Sequence, residues 1–120
     1  MKILRSFGFA WNGLKYCFVT QTNFRIHLLL AVLAISLSCW LHISEAEWLI
    51  ILLCIAFVLL SEMINTSIEK LCDMVQKNFH PEIKLVKDIA AGAVLVSALL
   101  NLCAGCIIFI PKIFLVLKSL

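Results

Sequence analysis

Charged side chains are scarce in this chain of 120 residues: Asp, Glu, Lys and Arg make up 14% of it, and hydrophobic residues make up 63%. A water-soluble domain usually carries about 25% charged residues. A domain of this length also cannot enclose so much apolar surface in one core. The composition therefore argues against an ordinary soluble domain and predicts an integral membrane protein with a single domain spanning residues 1–120.

The sequence also lacks a basic patch, a disulfide framework, a Gly-rich linker and an internal repeat. Its ten Lys and Arg residues are scattered and give a net charge of +3, which argues against a nucleic acid as partner. Its six cysteines lie mostly within apolar runs, where cysteine behaves as a small hydrophobic residue. Cys103 and Cys106 form a C-x-x-C motif inside such a run, so burial is favoured over metal or redox chemistry.

Three apolar runs predict transmembrane helices at residues 24–43, 46–75 and 81–110, since a spanning helix needs about 20 residues. The second run begins with Ser44 and Glu47, the pattern of a capping box. The third begins at Pro81, and proline suits the first helical turn. Pro111 is expected to end this third helix.

The distribution of basic residues predicts the orientation of these helices. Four of the ten lie before the first run or at its start (Lys2, Arg5, Lys15 and Arg25), and four more lie around the connection between the second and third runs (Lys70, Lys77, Lys84 and Lys87). Cytoplasmic loops are enriched in Lys and Arg, so both regions are expected on the cytoplasmic side. Lys112 and Lys118 follow the third run and argue weakly against this orientation.

The first 22 residues predict an amphipathic helix and a turn at the membrane interface. At helical spacing, basic and polar side chains such as Lys2 and Arg5 lie away from one apolar face. That face carries Ile3, Leu4, Phe7, Trp11, Leu14 and Phe18. A cleaved signal peptide is disfavoured, because these apolar residues are periodic rather than continuous.

Four polar residues, Glu62, Asn65, Glu69 and Asp73, interrupt the end of the second run. At about 100° per residue they form one stripe on the helix. With a rise of ~1.5 Å per residue, Glu62 lies roughly 20 Å along the helix from Trp48. The hydrocarbon core is about 30 Å thick, so Glu62 is expected at lipid depth and Glu69 near the cytoplasmic boundary. An ionisable group at such depth indicates a function.

Two functions suit this stripe. Lys87 and Asp88 at the cytoplasmic end of the third helix would place a cation beside carboxylates, which suits a nucleotide phosphate with Mg²⁺. A lipid hydroxyl beside Glu62 could then give its proton to the carboxylate. A small oligomeric proton-coupled carrier would explain a buried glutamate equally well.

Simpler roles also exist for several polar residues. Asn65 alone could be a contact between helices, and His80 is expected as a helix cap more readily than as a catalytic group. Arg25 and His27 are most simply interfacial anchors.

The motifs carry a family resemblance. The segments E-M-I-N-T-S-I-E-K-L-C-D (62–73) and K-D-I-A-A-G-A-V (87–94), together with RSFGFAWNGL (5–14) and NFRIH (23–27), resemble the prokaryotic diacylglycerol kinase family. Members of this family are small membrane kinases without a P-loop, and this sequence contains no G-x-x-x-x-G-K. The resemblance covers nearly the whole chain.

The resemblance implies roles for individual residues. Glu62 corresponds to the family's catalytic base, which accepts the proton of the lipid hydroxyl, and Asn65 would help to hold the reacting groups. Glu69 matches the carboxylate that binds Mg²⁺ with ATP. The remaining nucleotide contacts would come from Phe79, His80, Lys87 and Asp88, with Asp73 in a supporting role.

The resemblance also implies a homotrimeric helical bundle in the bacterial cytoplasmic membrane, with ATP as phosphoryl donor. The lipid substrate would be diacylglycerol or undecaprenol, and the N-F-R-I-H and I-P-K segments look more like the Gram-positive, undecaprenol-type branch. One position departs from the family pattern. The family usually has an acidic metal ligand just before N-F-R, where this chain has Gln21. A neutral amide supplies less charge to Mg²⁺, so either the metal affinity is lower or a neighbour such as Asp73 compensates.

Overall fold

The computed structural model describes residues 1–120, which form four helices: α1 (Lys2–Thr20), α2 (Thr22–Leu41), α3 (Glu45–Val75) and α4 (Pro81–Lys118). α2, α3 and α4 are long and apolar enough to cross a membrane. The predicted class, an all-α multi-pass membrane protein, is confirmed.

The end of α4 differs from the sequence prediction. Pro111 lies inside the helix, which continues to Lys118, so the expected end at residue 110 is wrong. Proline removes one backbone hydrogen bond, but helices in membrane proteins tolerate this where neighbouring groups compensate. Nζ of Lys112 lies 3.1 Å from Oε1 of Glu47 on α3. This ion pair holds the last part of α4 against the start of α3.

The predicted helix starts are present. The Ser44 hydroxyl accepts a hydrogen bond from the Glu47 N–H (3.2 Å), and the Glu47 carboxylate accepts one from the Ser44 N–H (3.0 Å). These two bonds form the capping box at α3. At α4, Pro81 occupies the first turn, and Nδ1 of His80 accepts a hydrogen bond from the Glu82 N–H.

The contact between α3 and α4 has an apolar half and a polar half. Near the α2–α3 turn, Ile51 of α3 and Ile108 of α4 form a buried apolar cluster with Ile43. Further along, the Ser61 and Ser97 hydroxyl oxygens lie 2.9 Å apart. These contacts fix α4 against the part of α3 where the polar stripe begins.

A side chain of α2 fixes the joint between α1 and α2. Nη1 of Arg25 donates hydrogen bonds to the Phe18 and Val19 carbonyl oxygens, at 2.7 and 2.9 Å. The last carbonyl groups of a helix lack partners within the helix, and Arg25 supplies two of them at the end of α1. The residue interpreted from sequence as an interfacial anchor therefore acts as a helix cap.

The end of α1 also contacts α3. The Lys70 ammonium lies 5.0 Å from the centre of the Tyr16 ring, a cation–π contact. Cys17 is the buried residue of α1. Together with the Arg25 cap, these contacts hold the α1–α2 joint beside the polar stripe of α3.

Candidate functional site

Exposure increases along the polar stripe of α3. Glu62 is 3% exposed, Asn65 and Glu69 are half-buried, and the Asp73 side chain is 66% exposed. One carboxylate is therefore enclosed by the helices, and another is open to the surroundings about three turns away. A buried acid has few routes by which it can exchange its proton, whereas an exposed one meets water-soluble ligands.

Asn65 and Glu69 are joined within the stripe. Nδ2 of Asn65 donates a hydrogen bond to Oε1 of Glu69 (3.2 Å) across one helical turn. Oδ1 of Asn65 is buried and has no hydrogen-bond donor within the chain. Buried polar atoms are almost always paired, so this oxygen is open to a group from outside the chain.

Glu62 lies against α2. Nε2 of His27 is 3.3 Å from Oε1 of Glu62, and the two side chains are 17% and 3% exposed. No donor of the chain is aligned for a hydrogen bond to this Oε1. Thr66, one turn along α3, uses its hydroxyl to donate to the Glu62 carbonyl oxygen (2.8 Å) and so leaves the carboxylate free.

The N-terminal part of α4 brings a cation to the stripe. The Lys87 ammonium forms an ion pair with the Asp73 carboxylate. Asp88 instead pairs with Lys84 on its own helix, at 2.6 Å. The sequence placed both Lys87 and Asp88 near the level of Glu69. In the structure Lys87 contacts the stripe through Asp73, whereas Asp88 pairs with a residue of its own helix.

The remaining candidates lie in connecting segments. Phe79 is 78% exposed before α4, and His80 is the N-cap of α4. Gln21 separates α1 from α2, and its amide donates to the Thr20 hydroxyl (3.1 Å). The hydrogen bond of the Gln21 side chain is thus made to its sequence neighbour and not to Glu69.

The chain alone offers few ligands to a metal. No group of three or more His, Cys, Asp or Glu side chains is arranged to hold one. Glu69 and the unpaired Oδ1 of Asn65 supply oxygen atoms, the ligand type of Mg²⁺. Mg²⁺ is commonly held by one or two carboxylates together with phosphates and water, and the residues fit that role.

Two residues near Glu62 were not predicted as part of the site. His27 was interpreted as an interfacial anchor, although an ionisable residue just inside a membrane span is itself a functional signal. Cys17 of α1 is 5% exposed, and burial, together with the nearby Glu62 carboxylate, raises the pKa of its thiol. No sequence pattern indicates the contact between Cys17 and α3.

The prokaryotic diacylglycerol kinase family model matches residues 8–109 of this sequence. The chain belongs to that family. Among curated members, a diacylglycerol kinase of Synechocystis is 36% identical over 92% of the chain, and the match spans 64% of that longer protein. The undecaprenol kinase of Bacillus subtilis is 35% identical, over 93% of the chain and 91% of the relative. The diacylglycerol kinase of Escherichia coli is 24% identical, over 89% and 88%.

Family membership decides between the two functions that the stripe left open. A prokaryotic diacylglycerol kinase family member is an ATP-dependent lipid kinase of the membrane. The alternative of a proton-coupled carrier is not favoured. The buried carboxylate therefore belongs to a phosphotransferase.

Proposed function

We propose that Glu62 is the catalytic base of this kinase. As the oxygen of a lipid primary hydroxyl attacks the γ-phosphorus of ATP, Glu62 takes the hydroxyl proton and ADP leaves with the electrons of the broken P–O bond. The observation that carries the proposal is the exposure gradient along α3, from the enclosed Glu62 to the open Asp73. A membrane lipid and a water-soluble nucleotide would meet a site built in this way from opposite ends.

The nucleotide would bind at the cytoplasmic end of the stripe. Lys87, which is within reach of Asp73, would neutralise phosphate charge. Phe79, His80 and Asp88 would complete the nucleotide contacts from the start of α4. Most of the rate enhancement would come from alignment of the two substrates and from charge neutralisation.

Glu69 would hold Mg²⁺ together with the phosphates, with Asn65 fixing the Glu69 carboxylate through their hydrogen bond. Mg²⁺ at this position would supply positive charge to the β- and γ-phosphate oxygens. Gln21 would be at most a weak ligand, because its amide is neutral.

We propose that the kinase is a homotrimer in the bacterial cytoplasmic membrane. Support comes from the unpaired buried Oδ1 of Asn65, which indicates that a group from outside one chain completes the site. α1, exposed along its length apart from Cys17, would lie in the membrane interface on its apolar face.

The proposed acceptor is a membrane lipid with one primary hydroxyl, which describes both diacylglycerol and undecaprenol. The relatives named for these two lipids are 36% and 35% identical to the chain. The chemistry at Glu62 is the same for both, because the proton taken is that of a primary alcohol.

Two variants test whether Glu62 acts as the base while Glu69 holds Mg²⁺. We expect Glu62→Gln to keep ATP binding in the presence of Mg²⁺ and to lose lipid phosphorylation by about 10²-fold or more. Glu69→Gln should weaken Mg²⁺-dependent ATP binding itself. Glu45→Gln, which changes an exposed acid at the opposite end of α3, is the matched control and should do neither. Full phosphorylation by Glu62→Gln would contradict the proposal.

A further inference from the structure

The carboxylate of Glu62 is held in a nearly closed environment. It is 3% exposed, and its Oε1 has no aligned hydrogen-bond donor within the chain. A buried carboxylate without a donor is poorly stabilised, and nothing restricts the rotation of its two oxygens except packing. A general base must present one oxygen to the proton within hydrogen-bond reach, so its orientation matters for the rate.

His27 is the donor within reach of this oxygen. Its Nε2 lies 3.3 Å from Oε1 of Glu62, and a small rotation of either side chain would align an N–H with Oε1. The other groups near the carboxylate do not serve this purpose. The Cys17 thiol of α1 is only a weak donor, and the Thr66 hydroxyl donates to the Glu62 carbonyl oxygen. Ser61 of α3 and Ser97 of α4 bond to each other, and Glu69 is a second negative charge.

His27 also borders an apolar cleft. The cleft has a volume of about 560 Å³ and lies between α2, α3 and α4. Its polar side chains are His27 and Asn101, and the Asn101 amide is occupied by the Cys54 carbonyl oxygen (2.7 Å). Among the residues that line the cleft, His27 lies beside Glu62, with Nε2 3.3 Å from Oε1. It therefore separates the apolar wall of the cleft from the buried carboxylate.

We propose that His27 is the positioning residue of the base. Its imidazole N–H holds Oε1 of Glu62, so that the second oxygen of the same carboxylate points to the lipid hydroxyl. This role rests on the proposed function, since it acts through Glu62 and has no effect on nucleotide binding. Loss of His27 should then slow phosphate transfer without weakening ATP affinity.

Two substitutions separate this role from packing. His27→Leu removes the donor, and His27→Gln restores an amide N–H near the position of Nε2. We expect His27→Leu to lower kcat roughly 10- to 100-fold with little change in the KM for ATP. General-base catalysis contributes a factor of about 10² to 10⁴ to the rate, and a poorly oriented base loses part of that factor. His27→Gln should recover most of the wild-type kcat. Asn101→Leu, at the other polar residue of the cleft, is the control and should keep kcat near the wild-type value.

A double-mutant cycle of His27→Leu and Glu62→Gln distinguishes a loss of positioning from a disturbance of folding. Residues that act as one unit are not additive, so His27→Leu should cause no further loss of the residual rate when added to Glu62→Gln. A purely structural role would lower the rate in both backgrounds. A full kcat in His27→Leu, or a loss in His27→Gln as large as in His27→Leu, would overturn the role of His27. Absence of lipid phosphorylation by the wild-type protein would instead overturn the proposed function.

Discussion

Lys87 of α4 pairs with Asp73 of α3, not with its neighbour Asp88. The pair spans the short connection between the two helices and places an ammonium group at the open end of the polar stripe. It therefore joins the two sequence motifs, the acidic stripe and the K-D pair, that carry the family resemblance.

Replacement of Lys87 tests whether this ammonium binds phosphate. We expect Lys87→Met to lower kcat/KM for ATP by about 10²-fold, since one charged group that stabilises a transition state is typically worth 10² to 10³. Asp73→Asn should cause a smaller loss, because it frees Lys87 without removing its charge. The measurement is steady-state lipid phosphorylation at varied ATP.

Lys77→Met removes an exposed lysine from the segment that connects α3 to α4 and is the matched control. Equal losses in Lys87→Met and Lys77→Met would mean that the effect comes from overall charge, and would contradict a specific phosphate contact.

Gln21→Glu tests the position at which this chain departs from the family pattern. A carboxylate adds charge where the amide has none, so the Mg²⁺ concentration at half-maximal activity should fall severalfold if this position binds the metal. Gln76→Glu makes the same chemical change at the end of α3 and should leave that concentration unchanged. Identical Mg²⁺ dependence in Gln21→Glu and the wild type would remove Gln21 from the metal site.

Asn101 tests the polar contact between α3 and α4. Its amide donates to the Cys54 carbonyl oxygen, and hydrogen bonds between membrane helices contribute about 0.6 kcal/mol on average and up to ~1.7 kcal/mol. We expect Asn101→Leu to lower the free energy of unfolding, measured by denaturation in mixed micelles, by about 1 kcal/mol. Asn101→Leu as stable as the wild type would show that the contact does not stabilise the fold.

Trp11 reports where α1 lies. It is 67% exposed on α1, and an interfacial helix places such a ring near the lipid headgroups. In a Trp40→Phe, Trp48→Phe background, bromine near the lipid carbonyls should quench Trp11 fluorescence more than bromine near the chain ends. Quenching by neither lipid would place α1 in water and contradict the interfacial helix.

Much of the fold could be predicted because each signal is local. The capping box at Ser44 and Glu47, the proline at the start of α4 and the apolar runs depend on a few neighbouring residues. The end of α4 was missed for the opposite reason. The Lys112–Glu47 ion pair joins residues far apart in sequence, and it holds the segment after Pro111 that local rules assign to a helix end.

The candidate site also has a part set by local spacing, which could be predicted, and a part set by contacts between helices, which could not. Helical spacing aligns Glu62, Glu69 and Asp73 on one face, so the stripe could be read from the sequence. The partners of the stripe come from other helices, namely His27 from α2 and Lys87 from α4. The sequence placed Lys87 near the level of Glu69, and the structure pairs it with Asp73, about one turn further along α3. Sequence spacing gave no distance between α2 and α3 and so left His27 as an interfacial anchor.

The most direct test of the account is phosphate transfer by the purified protein. The protein is incubated in mixed micelles with Mg²⁺, ATP labelled at the γ-phosphate, and either diacylglycerol or undecaprenol. We predict labelled lipid phosphate from at least one of these lipids with the wild-type protein, and a loss of that product in Glu62→Gln while ATP remains bound. No labelled lipid from either substrate, or an equal yield from Glu62→Gln, would contradict the assignment of Glu62 as the base of a lipid kinase.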